Sequence, residues 1–147
     1  MTRDDLVIEA RNIEPPSPSC AKELADLSEI ITADVNKAMT DRPDLEKLIG
    51  PGNLDMMKDN HANHARFMAS LCRNFNPEVL VDTVIWVFKA YRAHGFLLTY
   101  WPAQLNCWIK ALNRHLSPES FEQINPVYQF MIVSQAAFVR LSDADRP

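Results

Sequence analysis

The stretch FLLTYWPAQLNCWIKALNRH, residues 96–115, decides the fold. Leu98, Trp101, Leu105, Trp108 and Leu112 recur in steps of 3, 4, 3 and 4. That spacing lines one face of an α-helix, and Pro102 suits its first turn. Just upstream, NPEVLVDTVIWVFKAYRAHG (76–95) supplies a cap in Asn76, a first turn in Pro77 and a stop in Gly95. Only Asp82, Thr83, Lys89 and Arg92 interrupt its apolar run after Glu78. It therefore reads as a central helix, covered on more than one side.

The pattern continues outward. Leu24, Leu27, Ile31 and Val35 predict one helix over residues 19–39, and DRPDLEKLIG a short one stopped by Gly50–Pro51–Gly52. A long helix follows over residues 53–73, with Asn53 as its cap. Ser117 and Pro118 open a short helix that Asn125–Pro126 breaks or kinks, and a last helix carries Val127 to Leu141. No segment alternates with the period of a strand. The prediction is an all-α fold, a globin-like or irregular bundle of six to seven helices crossing at steep angles. Residues 1–18, ending in EPPSP, read as a flexible N-terminal arm in which Leu6 to Ile8 serve as an anchor. Residues 19–141 form the single helical domain, and 142–147 a loose tail.

Composition narrows the function classes. With 147 residues and 47% of them hydrophobic, the chain has enough apolar matter for one domain with a real core. Three glycines cannot write a phosphate-cradling loop. A net charge of −4 and no basic stripe argue against nucleic acid. The longest apolar run, Val84 to Phe88, is too short for a membrane span. The acidic start MTRDDLVIEA does not read as a secretory signal, so a cytoplasmic location is expected. Cys20, Cys72 and Cys107 are odd in number and widely spaced, which suits small core residues rather than disulfides or a zinc knuckle.

Chemistry is concentrated in DNHANHARFM, residues 59–68. Met57, His61, His64, Met68 and Leu71 fall in steps of 4, 3, 4 and 3, which puts both histidines on or beside the apolar face of one helix. Side chains three apart meet on a helix surface. Two readings follow. Either His61 and His64 are packed and satisfied, or one of them binds a small molecule such as a haem or another tetrapyrrole. A metal site needs more ligands than this pair supplies, and neither HExxH nor paired ExxH is present. His94 and His115 sit at helix ends, where the dipole accounts for them. Enzyme motifs such as GxSxG are absent, so no catalytic residue is assigned.

The stretches DLEKLIG, NHARFMASLCRNFNPE, AYRAHGFLLTYWPAQLNCWIKAL and VYQFMI resemble the helical N-terminal sensor domains of the stressosome RsbR type, over residues 20–141. The resemblance implies a globin-like fold without haem, an empty or small-ligand pocket, and dimerisation. It carries over no catalytic or ligand residue. The expected function is thus a non-enzymatic, globin-like domain working in regulation or assembly through protein contacts, without cofactor, with a protein partner or its own copy. Phe96, Tyr100, Trp101 and Trp108 are the interface candidates, because they offer more aromatic surface than one helix face readily buries. The alternative is a small-molecule or tetrapyrrole sensor using His61 or His64.

Overall fold

Prolines and short polar side chains set where the helices of this protein begin. In the computed structural model, which describes residues 1–143, Ser17, Asn76 and Ser117 each accept a backbone N–H in the first turn that follows, and Pro18, Pro77 and Pro118 take the first helical position. Nine helices result among the described residues: α1 (Arg3–Ala10), α2 (Pro18–Asp26), α3 (Ser28–Thr40), α4 (Leu45–Ile49), α5 (Leu54–Arg73), α6 (Pro77–His94), α7 (Tyr100–His115), α8 (Pro118–Val133) and α9 (Gln135–Asp143). No strand occurs among those residues. The fold is an all-α bundle, and no described helix is long and apolar enough to cross a membrane.

The expected arm is a docked helix instead. Thr2 and Asp5 close a reciprocal capping box, and Leu6, Val7 and Ala10 are buried. α1 lies on α6, where the Arg3 guanidinium forks onto both Asp82 oxygens at 2.9 Å. The sequence hid this because only three of eight residues face inward and the rest are charged, except Ile8, which was expected in the anchor but is 58% exposed.

The expected single helix over 19–39 is two. Leu27 leaves helical geometry (φ −100°, ψ 6°), so α2 packs on α5 and α8 while α3 packs on α7 and α5. Leu24, Ile31 and Val35 stay buried on both sides of the break, so the apolar periodicity does not betray it. Conversely, α8 runs through Pro126, and the interruption falls at Ser134. Pro126 and Glu122 are both exposed, so water can satisfy the carbonyl that proline leaves without a donor. Ser142 and Asp143 complete α9, with Ser142 buried; the rest of the expected tail, 144–147, lies outside the described residues.

α6 is not enclosed all round. α1 and α9 cover one side, but Trp86 is 66% exposed. Its C-terminal end is fixed in place. Gly95 takes the left-handed conformation (φ 83°) that ends the helix, which glycine does without strain. Asn53, expected to cap α5, makes no such bond. Its Nδ2 donates to the carbonyls of Ile49 (2.7 Å) and His94 (3.0 Å), while the Leu97 N–H donates to Leu48 (2.8 Å). Gly50 (φ 84°) permits this clamp, because a Cβ there would lie 3.3 Å from Asn53 Nδ2. The ends of α4 and α6 are thereby tied beside the start of α7, at the edge of a cleft.

Candidate functional site

That cleft lies between α5 and α6, over α7, and has a volume of about 340 Å³. Cavities of roughly 300–1,000 Å³ hold small molecules in proteins. Its floor is buried: Val84 and Tyr91 from α6, Phe96, Trp101 and Gln104 around α7, and Met131 from α8. One wall is the α5 face bearing Asn60, His61 and His64, with Phe67 beyond. At the rim stand exposed Asn63, Trp86 and His94.

The repeat read from sequence does bring His61 and His64 to one wall, and each is also tied to a neighbouring helix by hydrogen bonds. His61 Nδ1 lies 2.6 Å from Asn36 Oδ1, and its Nε2 lies 2.7 Å from the Tyr100 hydroxyl. Asn36 Oδ1 can only accept, so Nδ1 carries the hydrogen of the neutral ring and Tyr100 donates to Nε2. His64 shares a 2.7 Å bond between Nε2 and the Tyr128 hydroxyl, and its ring leans on Trp108 with centroids 4.5 Å apart. Burial disfavours the charged imidazole. It lowers His61 to about 4 and, with the charge of His61 adding to the effect, His64 to about 3. Both rings are neutral at pH 7. The same burial holds the Tyr100 and Tyr128 hydroxyls well above their ordinary value, so they remain O–H groups.

The hydrogen bonds of His61 and His64 compete with axial ligation of a haem. An axial imidazole must present a free ring nitrogen. His61 has both nitrogens engaged, and His64 gives its outer nitrogen to Tyr128. Among the described residues the cavity lining contains no lysine or arginine to meet propionates. Nor do any three His, Cys, Asp or Glu side chains among them gather as a metal would require.

The four interface candidates turn inward. Phe96, Tyr100, Trp101 and Trp108 are at most 4% exposed. Their aromatic area is taken up within the chain: Phe96 packs edge-on to Tyr100 at 5.1 Å and stacks on Tyr91 at 5.4 Å, while Trp101 meets Phe88 at 5.1 Å. The expectation that they form a docking surface is corrected accordingly. Two of them, Phe96 and Trp101, instead line the cleft. The three cysteines are free thiols, two of them buried, and burial pushes Cys72 up to about 12.

Sequence reasoning missed Gln104. It is 2% exposed and lines the cavity floor, and its Nε2 has no hydrogen-bond partner among the described residues. The signal was available, since Gln104 lies between Trp101, Leu105 and Trp108 on the buried stripe of α7, where every neighbour is apolar. His94 was assigned only to the helix end, yet its side chain stands at the cleft rim. His115, likewise assigned, closes a contact with Asp34 of α3 away from the cleft. Comparison with family models, curated proteins and solved structures finds no match to this chain.

Proposed function

We propose that this chain is a non-enzymatic, ligand-binding helical domain that takes a small molecule into the cleft between α5 and α6. The observation that carries the reading is the cleft itself: a largely apolar space of about 340 Å³, lined on its floor by Gln104, whose buried Nε2 has no acceptor among the described residues. Buried polar groups are nearly always paired, and an apolar pocket with few convergent polar groups is the usual form of a binding site. The local chemistry favours binding over catalysis. General acid–base work needs a pKa near the operating pH, and His61 and His64 are held far below it, at about 4 and about 3. The Cys72 thiol, at about 12, supplies no thiolate. The resemblance to RsbR-type sensor domains points the same way.

The test is a cavity-filling substitution. Ala90 lines the cleft from α6 and is half-buried, so Ala90→Phe puts a ring into the space. A fragment library is screened by thermal shift. Saturable stabilisation of the wild type is expected, about 2.7 kcal/mol at a hundredfold excess over Kd, and it is lost in Ala90→Phe. Equal responses in both proteins, or none in either, would remove the reading.

A second reading, action through a protein contact, is favoured by one observation. Trp86 is 66% exposed and Val79, seven residues earlier on the same face of α6, is 45% exposed. Aromatic residues concentrate at interfaces. The partner proposed is a second copy of the chain, meeting along α6. Sedimentation equilibrium of wild type and Trp86→Glu tests it; a wild-type monomer at high concentration rejects it.

A further inference from the structure

The lining of the cleft has a definite charge character. Among the described residues it contains no lysine, arginine, aspartate or glutamate. Its polar groups are all uncharged in type or imidazole: the amides of Asn60, Asn63 and Gln104, the imidazoles of His61, His64 and His94, the hydroxyls of Thr83 and Tyr91, and the indole N–H groups of Trp86 and Trp101. Both wall imidazoles are neutral and already hydrogen-bonded to tyrosines. A charged ligand would lose its hydration here and meet no counter-charge, which costs far more than burying a neutral one. The deepest polar group is different in kind. Gln104 is a buried residue of the cleft floor, and its Nε2 is a donor without an acceptor among the described residues. An unmet buried donor carries its full desolvation penalty, and a ligand acceptor placed against it removes that penalty.

We propose that the cleft takes an uncharged, mainly apolar ring compound bearing a carbonyl acceptor, a ketone or an amide, which receives the Nε2–H of Gln104 while its ring lies on the Trp101, Tyr91 and Met131 surface. The proposal rests on the reading of the cleft as a ligand site. It assigns the polarity of the ligand: an acceptor inward, an apolar body, and no charge. Trp86 and His94 at the rim meet whatever part of the molecule reaches solvent.

Three probes of one shape test it: naphthyl methyl ketone, naphthoate and ethylnaphthalene, titrated into the full chain by calorimetry and by quenching of intrinsic tryptophan fluorescence. The ketone is expected to bind. Ethylnaphthalene, which lacks the acceptor, is expected roughly fivefold weaker, the worth of one neutral hydrogen bond. Naphthoate, whose charge finds no partner, is expected weaker by about a hundredfold or more. Gln104→Leu keeps side-chain volume and removes the donor, and Gln104→Met serves as a second such variant. In both, ketone and hydrocarbon are expected to bind equally. Naphthoate binding as tightly as the ketone, or a ketone preference that survives both variants, overturns the ligand class and leaves the cleft reading standing. Failure of all three probes to bind the wild type removes the cleft reading, and this proposal with it.

Discussion

Replacing His61 and His64 together by glutamine should flatten the acid side of the stability profile. The two rings are neutral in the folded protein, with values near 4 and 3, against 6.5 in an open chain. The sign follows from proton counting. Below 6.5 the unfolded chain takes up protons that the folded state refuses, so the unfolded state gains. The histidines' contribution is therefore complete above 6.5 and lost as pH falls from 6.5 towards 4. At about pH 5 the open-chain ring is almost fully protonated and the folded one almost wholly not, which is worth about 2 kcal/mol per histidine relative to slightly alkaline solution. The choice of pH 5 makes the figure insensitive to how far below it each folded value lies. His64 is only half-buried and faces the cleft, so solvent screening trims its share, and the pair is expected to contribute about 3–4 kcal/mol. Carboxylates held low, such as Asp34 beside His115 and Arg114 or Asp82 beside Arg3, titrate further into acid and are present in both proteins, so they cancel. Urea melts of the wild type and of His61→Gln, His64→Gln at the two pH values give the difference. Equal pH dependence in the two proteins would refute the neutral-pair account.

Three further outcomes follow from the packing. Leu6→Ala should cost about 2–5 kcal/mol, because Leu6 is wholly buried beneath α1; a urea midpoint unchanged from wild type would restore the flexible-arm expectation. Glu23→Ala should cost about 1–3 kcal/mol in thermal unfolding, because its carboxylate accepts from the Ser117 N–H and hydroxyl at the start of α8 and from buried Ser120 Oγ at 2.7 Å, which is then left unmet. No change in Tm would show that water replaces it freely. Gln104→Leu should leave the ligand-free protein as stable or raise its stability by up to about 1–2 kcal/mol, since an apolar group replaces an unsatisfied donor; a large destabilisation would mean that the amide has a structural partner.

Some of this was legible in the residues and some was not, for definable reasons. The α6 start was fully written in Asn76 and Pro77, and the α7 stripe in its 3–4 spacing, because both signals are local. The break at Leu27 was invisible, since one non-helical residue barely disturbs the phase of Leu24, Ile31 and Val35. Pro126 misled because its effect depends on exposure, which a sequence does not carry. Asn53 looked like a cap, but its partners lie on α4 and α6, brought near by tertiary folding. At the site, helical spacing put His61 and His64 on one wall, but not the tyrosines that occupy their nitrogens from α7 and α8. The aromatics of residues 96–108 suggested an outer face because a sequence counts apolar area without showing how many helices close over it. Gln104 was the reverse case, a polar residue in a buried stripe whose meaning needed the cavity above it.

The most direct measurement on the central claim is the side-chain amide resonance of Gln104 in nitrogen-15-labelled protein, assigned by its loss in Gln104→Leu. On titration with naphthyl methyl ketone, the account predicts a saturable downfield shift of a Gln104 Nε2–H proton as it acquires the ketone oxygen, together with shifts of the Trp101 and Tyr91 rings. Ethylnaphthalene should move the rings but not that proton. If the ketone binds while the Gln104 amide stays where it was, or if neither compound perturbs any resonance lining the cleft, the account is contradicted.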